Sequence, residues 1–568
     1  MFVVKKNING RDYYYLRKSA RINGKVKAIT LAYLGSNRKL ALEKAKDFKE
    51  KPSVMKMTDD KSREIVEKEK KAEKTEISEF EKHMLSIDEL AVFCKRKGFV
   101  YPSAEIYGGL AGFWDFGHLG VELKNNIKSE WWNYHVRKRE DMAGIDGAII
   151  TNPKVWEASG HISTFFDVAV KCRKCKSTTK IDASAAGKEK CEKCGGEFEV
   201  LGKFNQLFPV KVGALNPVEA YLRGETAQLI FTNFRLVQEN ARMSLPFGIA
   251  QMGKAFRNEI SPREFIFRCR EFEQMEIEYF IAPAQPCPYK VGDTEISILS
   301  ADMQLKNEEP AKMKISEALK AGIIKRDWHA YWIEQELSWF LSLGASPDNF
   351  RIRQHLPDEK SHYSTDTWDL EYKFPMGWRE LQGFADRSTY DLSQHQKFSG
   401  KNLEMTDSKL GKVLPEVVCE PSLGLERAFI VFLLEAYHYD TSRQNIVLKL
   451  HPRLSPLKAA VFPIVKTDEA VVNLARYIYD SLKEDFSVIY DDSGSVGRRY
   501  ARNDETATPF CITTDDESIK NNDATIRNRD TTEQIRVKIS NLKDILRKLI
   551  NKEIAFEKAG RPVNTRIK

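Results

Sequence analysis

Residues Phe256 to Phe280 read FRNEISPREFIFRCREFEQMEIEYF. Few arrangements accommodate basic, acidic and aromatic residues packed at such short spacing. The loop ISPREFIF should be followed by a returning strand. On a strand Arg268, Arg270 and Phe272 stand two residues apart and share one face. A face of this kind suits a polyanionic nucleotide, because planar guanidinium groups hold phosphate oxygens in pairs while an aromatic ring stacks on a base. Two segments of matching chemistry flank it: YLRGETAQ, Tyr221 to Gln228, and EPSLGLER, Glu420 to Arg427. A helix is expected just after Gly424, over RAFIVFLLEAY.

A second constraint comes from cysteine spacing. Cys172-x-x-Cys175 and Cys191-x-x-Cys194 are separated by 15 residues, which is the spacing of a structural four-cysteine zinc ribbon. Lysine and arginine surround the thiols, and Gly195-Gly196 supply a turn. Four thiolates would close the coordination shell, so the metal reads as structural Zn²⁺; a redox-active pair of dithiols is the alternative. The other five cysteines are scattered singly, which fits a reducing compartment.

The 568 residues suggest three or four domains at roughly 150 residues each. No apolar run reaches the length of a membrane span, and the N-terminus has no secretory signature, so a cytoplasmic protein with no membrane partner is expected. The net charge of +9 is uneven: residues 1–56 hold 15 Lys and Arg against 4 Asp and Glu. Asn9-Gly10 and Asn23-Gly24 are hairpin signals. They predict a three-stranded meander over Phe2–Lys6, Tyr13–Arg21 and Val26–Tyr33, followed by a short helix near Asn37–Lys49. This basic module, residues 1–52, reads as a contact for an anionic partner or as a solvated appendage. Residues 53–84 interleave Lys and Glu and read as a linker or exposed helix. Further on, Gly120–Arg139 is a helix candidate and Gly144–Thr151 a strand candidate closed by Pro153. After His451 strands and helices alternate, which argues for a separate α/β domain. In it Arg498 and Arg499 are candidate phosphate contacts.

Taken together, FRNE, YLRGETAQ, GWRELQGFADRS and EPSLGLER resemble the class II aminoacyl-tRNA synthetases. They are closest to the dimeric glycyl-tRNA synthetases of the bacterial branch, over about residues 85–550. The resemblance implies an α+β fold. A class II antiparallel-sheet catalytic domain would span 85–448, with the zinc ribbon inserted at 168–200. An α/β anticodon-binding domain would span 449–568. It also implies ATP with Mg²⁺, glycine and glycine tRNA as partners, and a homodimer formed through the long helix and following strand. Arg257 resembles the arginine that holds the α-phosphate and Arg427 the one that clamps the far side of ATP; these two are the implied catalytic residues. Asn258, Glu259, Phe267, Arg268, Arg270, Phe272, Glu380, Leu381 and Gly424 fall at the other ATP positions. Glu225, Glu276, Glu420 and Ser422 fall at the glycine positions. Three convergent carboxylates would repel one another without a cation among them, so one is expected to have a raised pKa. The chain departs from the family at Gly224 (usually Pro), Leu229 (usually Gly) and Lys180 (usually Arg). A non-catalytic nucleic-acid-binding paralogue on the same scaffold is the rival reading, disfavoured by the presence of Arg257, Glu259 and Arg427.

Overall fold

The computed structural model describes residues 2–8, 11–22, 25–35, 85–181, 190–191, 193–361 and 363–563. The helix expected at 37–49, the charged segment 53–84 and both Asn-Gly turns lie outside these residues. The chain divides into two compact units, Met1–His83 and Met84–Lys568. Among the described residues no helix is long and apolar enough to cross a membrane.

The first unit is an antiparallel meander of β1 (Phe2–Ile8), β2 (Arg11–Ile22) and β3 (Lys25–Gly35), in that order. Each strand is longer than its hydrophobic pattern predicted. The β2–β3 register shifts at Tyr14/Tyr15 and at Leu16/Arg17.

In the second unit, α1 (His118–Trp132) buries Leu119, Leu123, Ile127 and Trp131 along one stripe. Gly120 is required there, because a Cβ would lie 1.8 Å from the Phe99 carbonyl oxygen. The helix predicted through Arg139 widens to a π turn over Asn133–Arg137, which buries His135 against Trp131 and Trp339. The single strand predicted over Gly144–Thr151 is two. One is β4 (Met142–Ile145), in the large sheet; the other, Ile150–Thr151, pairs instead with Val218–Leu222. The chain turns between them at Gly147, whose N–H donates to Gln251 Oε1 at 2.5 Å. The ribbon follows as β5 (Phe166–Cys172), β6 (Thr178–Ile181) and β7 (Phe198–Asn205), with β5 in the centre.

The large sheet is completed by β8 (Phe247–Phe256), β9 (Glu271–Ile281), β10 (Glu295–Leu299), β11 (Ala311–Lys314), β12 (Phe350–Gln354), β13 (Asp366–Phe374), β14 (Gly377–Asp386) and β15 (Glu416–Gly424). Its order is β11-β10-β12-β13-β14-β15-β9-β8-β4. Only the β10–β12 and β8–β4 pairs are parallel. Helices Ala227–Ala241, Asp327–Ser342 and Leu425–Ala436, here α2, α3 and α4, accompany it. Strand alternation sorts the two faces. On β9, Met275, Ile277 and Tyr279 enter the main core with Trp328 and Trp332 of α3 and Phe429 of α4. Gln274, Glu276 and Glu278 occupy the opposite face, where the candidate site lies.

The C-terminal part has strands β16 (Ala459–Pro463), β17 (Val488–Tyr490), β18 (Phe510–Thr514), β19 (Asp523–Asn528), β20 (Gln534–Lys538) and β21 (Arg561–Pro562), ordered β17-β16-β18-β19-β20-β21. β16 is parallel to β17 and β18, with helices Glu469–Leu482 and Val496–Glu505 as the crossovers. Asp468 caps the first of these helices through the Ala470 and Val471 N–H groups. Arg499 is no phosphate contact: it is buried, and its guanidinium donates to the carbonyls of Pro463, Asp492 and Gly494. Arg498 beside it is exposed.

Candidate active site

A cavity of about 410 Å³ opens on the polar face of β9, β14 and β15. All the sequence-predicted ATP and substrate residues line it except Asn258 and Arg270. Asn258 is held through its backbone N–H, which donates to the Gln206 carbonyl at 2.8 Å. Arg270 does not share a face with Arg268, because β9 begins only at Glu271, after a 3₁₀ turn at Phe265–Phe267. Its guanidinium turns to the carbonyls of Glu259 (3.0 Å) and Ala111 (3.1 Å). A second, more open cavity of about 610 Å³, beside Arg139, Asp141, Arg242, Tyr289 and Tyr331, contains none of the predicted residues.

At one end of the first cavity the carboxylates meet. Sheet register sets Glu276 of β9 opposite Ser422 of β15, and Glu420 of β15 opposite Ala385 of β14. Ser422 Oγ donates to Glu276 Oε1 at 2.7 Å, and the Thr226 hydroxyl also hydrogen-bonds Glu276. The cation that the sequence reading required is Arg387, which is fully buried. Its Nε donates to Glu420 (3.0 Å), Nη1 to Asp391 (3.3 Å) and Nη2 to Glu225 (3.3 Å), and the Tyr363 ring lies 3.9 Å from it. On the other side of Glu225, His161 Nε2 is 3.2 Å from its carboxylate.

The carboxyl groups are therefore driven apart electrostatically. Burial works to raise Glu225, but His161 together with Arg387 and Arg257 outweighs it and holds this carboxyl well below its usual range. Burial pushes Glu276 up, assisted by the charge on Glu225. Burial also pushes Glu420 well up against the opposing pull of Arg387, and raises Glu278 beside it. The expectation of one raised carboxyl is thus exceeded.

At the other end are the arginines. The Arg257 guanidinium lies between the rings of Phe165 (5.3 Å) and Phe272 (5.5 Å), and its Nε donates to the Gly224 carbonyl at 3.0 Å. Arg427 lies 4.6 Å from the Phe267 ring and bonds the Glu380 carbonyl (2.8 Å) and carboxylate (3.2 Å). Arg427 holds the Glu380 carboxyl below its ordinary range, while burial pushes Asp369 up to about 6. Below the site, Lys124 of α1 sits 2.7 Å from Glu273 and 3.4 Å from Glu426, tying that helix to β9 and α4.

Two sequence departures have local explanations. A Cβ at Gly224 would lie 3.0 Å from the end of Leu207, tighter than an ordinary contact, so a larger residue there would push that side chain aside. Leu229 fills the space beside Gly147, where a Cβ would come within 2.6 Å of it and 2.7 Å of Gln251 Oε1. Gly147→Ala is therefore expected to destabilise the protein by about 1–3 kcal/mol, measured by chemical denaturation. Adding Leu229→Ala should recover part of that loss.

The four ribbon sulfurs lie within 4.8 Å of one another, with Cys172–Cys194 at 3.4 Å and Cys175–Cys191 at 3.6 Å. A tetrahedral zinc with Zn–S of about 2.3 Å needs sulfurs about 3.8 Å apart, so this donor set fits Zn²⁺. Gly196 makes room for them, since a Cβ there would lie 2.9 Å from Cys172 Sγ.

Sequence reasoning passed over Arg387, His161 and Thr226. Arg387 stood within a quoted segment, and an arginine closing a strand of apolar and small residues (LQGFAD) was the available signal.

Residues 458–549 match the family described as anticodon binding domain. A prolyl-tRNA synthetase from Cryptosporidium parvum, solved with halofuginone and AMPPNP, superposes with a TM-score of 0.50 at 15% identity. The match covers 82% of this chain and 75% of that one, and it establishes the class II synthetase fold. The glycine–tRNA ligase of Borrelia hermsii is 41% identical over 474 residues, covering 82% of this chain and 97% of the relative. That of Geobacillus thermodenitrificans is 41% identical over 503 residues, 83% of this chain and 98% of the relative. With identity of this level across nearly the whole length of these bacterial enzymes, the chain belongs to the glycine–tRNA ligase family.

Proposed function

We propose that this chain is a glycine–tRNA ligase. A glycine carboxylate oxygen attacks the α-phosphorus of ATP, the bond to the bridging oxygen of the β-phosphate breaks, and pyrophosphate leaves glycyl-adenylate. A ribose hydroxyl of the terminal adenosine of glycine tRNA then attacks the acyl carbon and releases AMP. The observation that carries this reading is the convergence of Glu225, Glu276, Glu420 and Ser422 with Arg257 and Arg427 in one cavity.

Arg257 would hold the α-phosphate, where charge builds during the first step. Phe272 would stack on adenine, Glu259 would meet its amino group, and Arg427 would close the far side. Arg268, Phe267, Leu381 and Gly424 would complete the ATP surface, with Asn258 and Arg270 shaping it from outside. Glu225, Glu276 and Glu420 would receive the ammonium group of glycine, and the packing of Ser422 and Thr226 on Glu276 would exclude a side chain on Cα. Mg²⁺ would be held by the phosphates with Glu380, which Arg427 keeps ionised; when bound it neutralises phosphate charge.

The chain is assigned as a basic module (1–52), a linker (53–84), a catalytic domain (85–448) carrying the ribbon (168–200), and an anticodon-binding domain (449–568). We assign the protein to the cytoplasm as a homodimer joined through α1 and β4. Zn²⁺ would be a structural ion on Cys172, Cys175, Cys191 and Cys194. Cys175→Ser is expected to lose stoichiometric zinc, read by metal analysis. Intact adenylate formation with lost tRNA charging would place the ribbon at the tRNA acceptor stem, whereas general unfolding would make it purely structural.

The deciding test is ATP–pyrophosphate exchange without tRNA across glycine, alanine, serine, threonine and proline. Exchange with glycine alone supports the reading. No exchange with any of them, from folded and zinc-loaded protein, would move the chain to the non-catalytic alternative.

A further inference from the structure

One exposed apolar loop has no part in the chemistry above. Residues 103–112 read SAEIYGGLAG and connect a short antiparallel pair, Val100–Pro102 with Trp114–Phe116. Ile106 is 88% exposed, Tyr107 87% and Leu110 60%. Single apolar residues on a surface are ordinary, but three within five positions make a patch. The loop is also well held. The Tyr107 N–H donates to the Ala104 carbonyl at 2.9 Å, that of Gly108 to Glu105 at 2.9 Å, and that of Phe113 to Leu110 at 3.2 Å. Ala104, Gly108, Gly109 and Gly112 all have positive φ, between 52° and 92°, and glycine adopts such angles without steric cost. The backbone is thus committed to a turn that leaves these apolar side chains in solvent. It is fastened to the wall of the cavity. Arg270 donates from Nη1 to the Ala111 carbonyl at 3.1 Å and from its backbone N–H to that of Gly112 at 2.9 Å. Gly112 packs on Pro262, where a Cβ would come within 2.7 Å. The Trp114 ring meets Phe265 edge-on at 5.0 Å, and the residues that follow, Ile266, Phe267 and Arg268, line the cavity. Cations accompany the loop: Arg263, next to Pro262 in the chain, is exposed, and Lys95 is ion-paired with Glu105.

We infer that this loop receives the unpaired 3′ end of the tRNA substrate, with the Tyr107 ring as a platform for one of its bases and Ile106 and Leu110 beside it. Bases that are not stacked in a helix expose apolar faces. An aromatic ring offers such a base a surface whatever the sequence, while neighbouring cations meet the phosphates. A glycine–tRNA ligase must bring that end of the tRNA to the cavity in which glycyl-adenylate forms, and the loop is joined to that cavity's wall. A loop already held in shape loses little freedom on binding, which favours affinity. The inference rests on the ligase reading, which supplies the identity of the RNA.

The test pairs changes in the loop with changes in the RNA. Full-length protein is titrated, by filter binding at fixed salt, with a glycine tRNA transcript and with the same transcript trimmed of its unpaired 3′ nucleotides. Tyr107→Ala should bind the whole transcript about tenfold more weakly. Ile106→Ala with Leu110→Ala should also weaken binding, and Tyr107→Phe, which keeps the ring, should match the parent. Trimming should cost the parent about tenfold but Tyr107→Ala at most about twofold, because both sides of one contact are then removed together. Parental binding by Tyr107→Ala, or an equal loss by it on the whole and the trimmed transcript, would overturn the inference. So would a change of oligomeric state in that variant, seen by sedimentation, which would make the loop a contact between two copies of the chain. Glycine-dependent pyrophosphate exchange without tRNA is measured on every variant and should be unchanged; a loss there would assign the loop to ATP or glycine instead. Absence of exchange from the parent protein would count against the ligase reading alone, because RNA binding is scored separately.

Discussion

Replacing Arg387 by Met is expected to cost about 3–5 kcal/mol, because one buried guanidinium serves three acidic partners and its loss leaves them without a counter-charge. Two effects should follow. Glu225, now held low in part by Arg387, should titrate upward, and the wall between Glu225 and Glu420 should loosen. Glycine-dependent pyrophosphate exchange should fall at least about a hundredfold, since each tenfold corresponds to about 1.4 kcal/mol, and thermal unfolding should move to lower temperature. Arg387→Lys should not rescue it, because an ammonium cannot address three partners at fixed angles. Activity within threefold of the parent would show that the carboxylates do not depend on this cation.

Arg257→Ala should separate from that result. Among the described residues its side chain makes one protein hydrogen bond, from Nε to the Gly224 carbonyl, so its terminal nitrogens remain for a ligand. Loss of a donor aimed at developing phosphoryl charge is expected to lower the exchange turnover by about 10²–10³. The melting temperature should barely move, because the side chain is only partly buried. A comparable fall in stability would recast Arg257 as a structural residue. Near-parental turnover would remove it from the proposed chemistry.

How far the sequence could be read depended on the range of the interactions. Local patterns were legible. The two CxxC pairs fell together, and a helix does begin after Gly424; the alternation in EQMEIEYF, not used in the reading, also matches the two faces of β9. What required the folded chain was contact between distant segments. Arg387 and Glu225 are 162 positions apart, so the strand before Arg387 hints at its burial but not at the acids it will meet. His161, which approaches Glu225 from a short helix, was missed for the same reason. Arg270 misled in the opposite sense: two-residue spacing implies a shared face only inside a strand, and the strand starts one residue later. Gly144–Thr151 read as one strand because β-branched and small residues carry no mark of the sheet they will join. The break at Gly147 is set by a glutamine more than a hundred positions away.

The raised carboxyls of the pocket have a consequence for how glycine would enter. Glu276 and Glu420 keep their protons to a higher pH than ordinary glutamates. An incoming ammonium favours their charged forms, so binding would expel protons into solution. Affinity for glycine should then strengthen as pH rises through the range where these groups titrate. The heat of binding measured by calorimetry should change with the ionisation enthalpy of the buffer, and its slope across buffers would count the protons released.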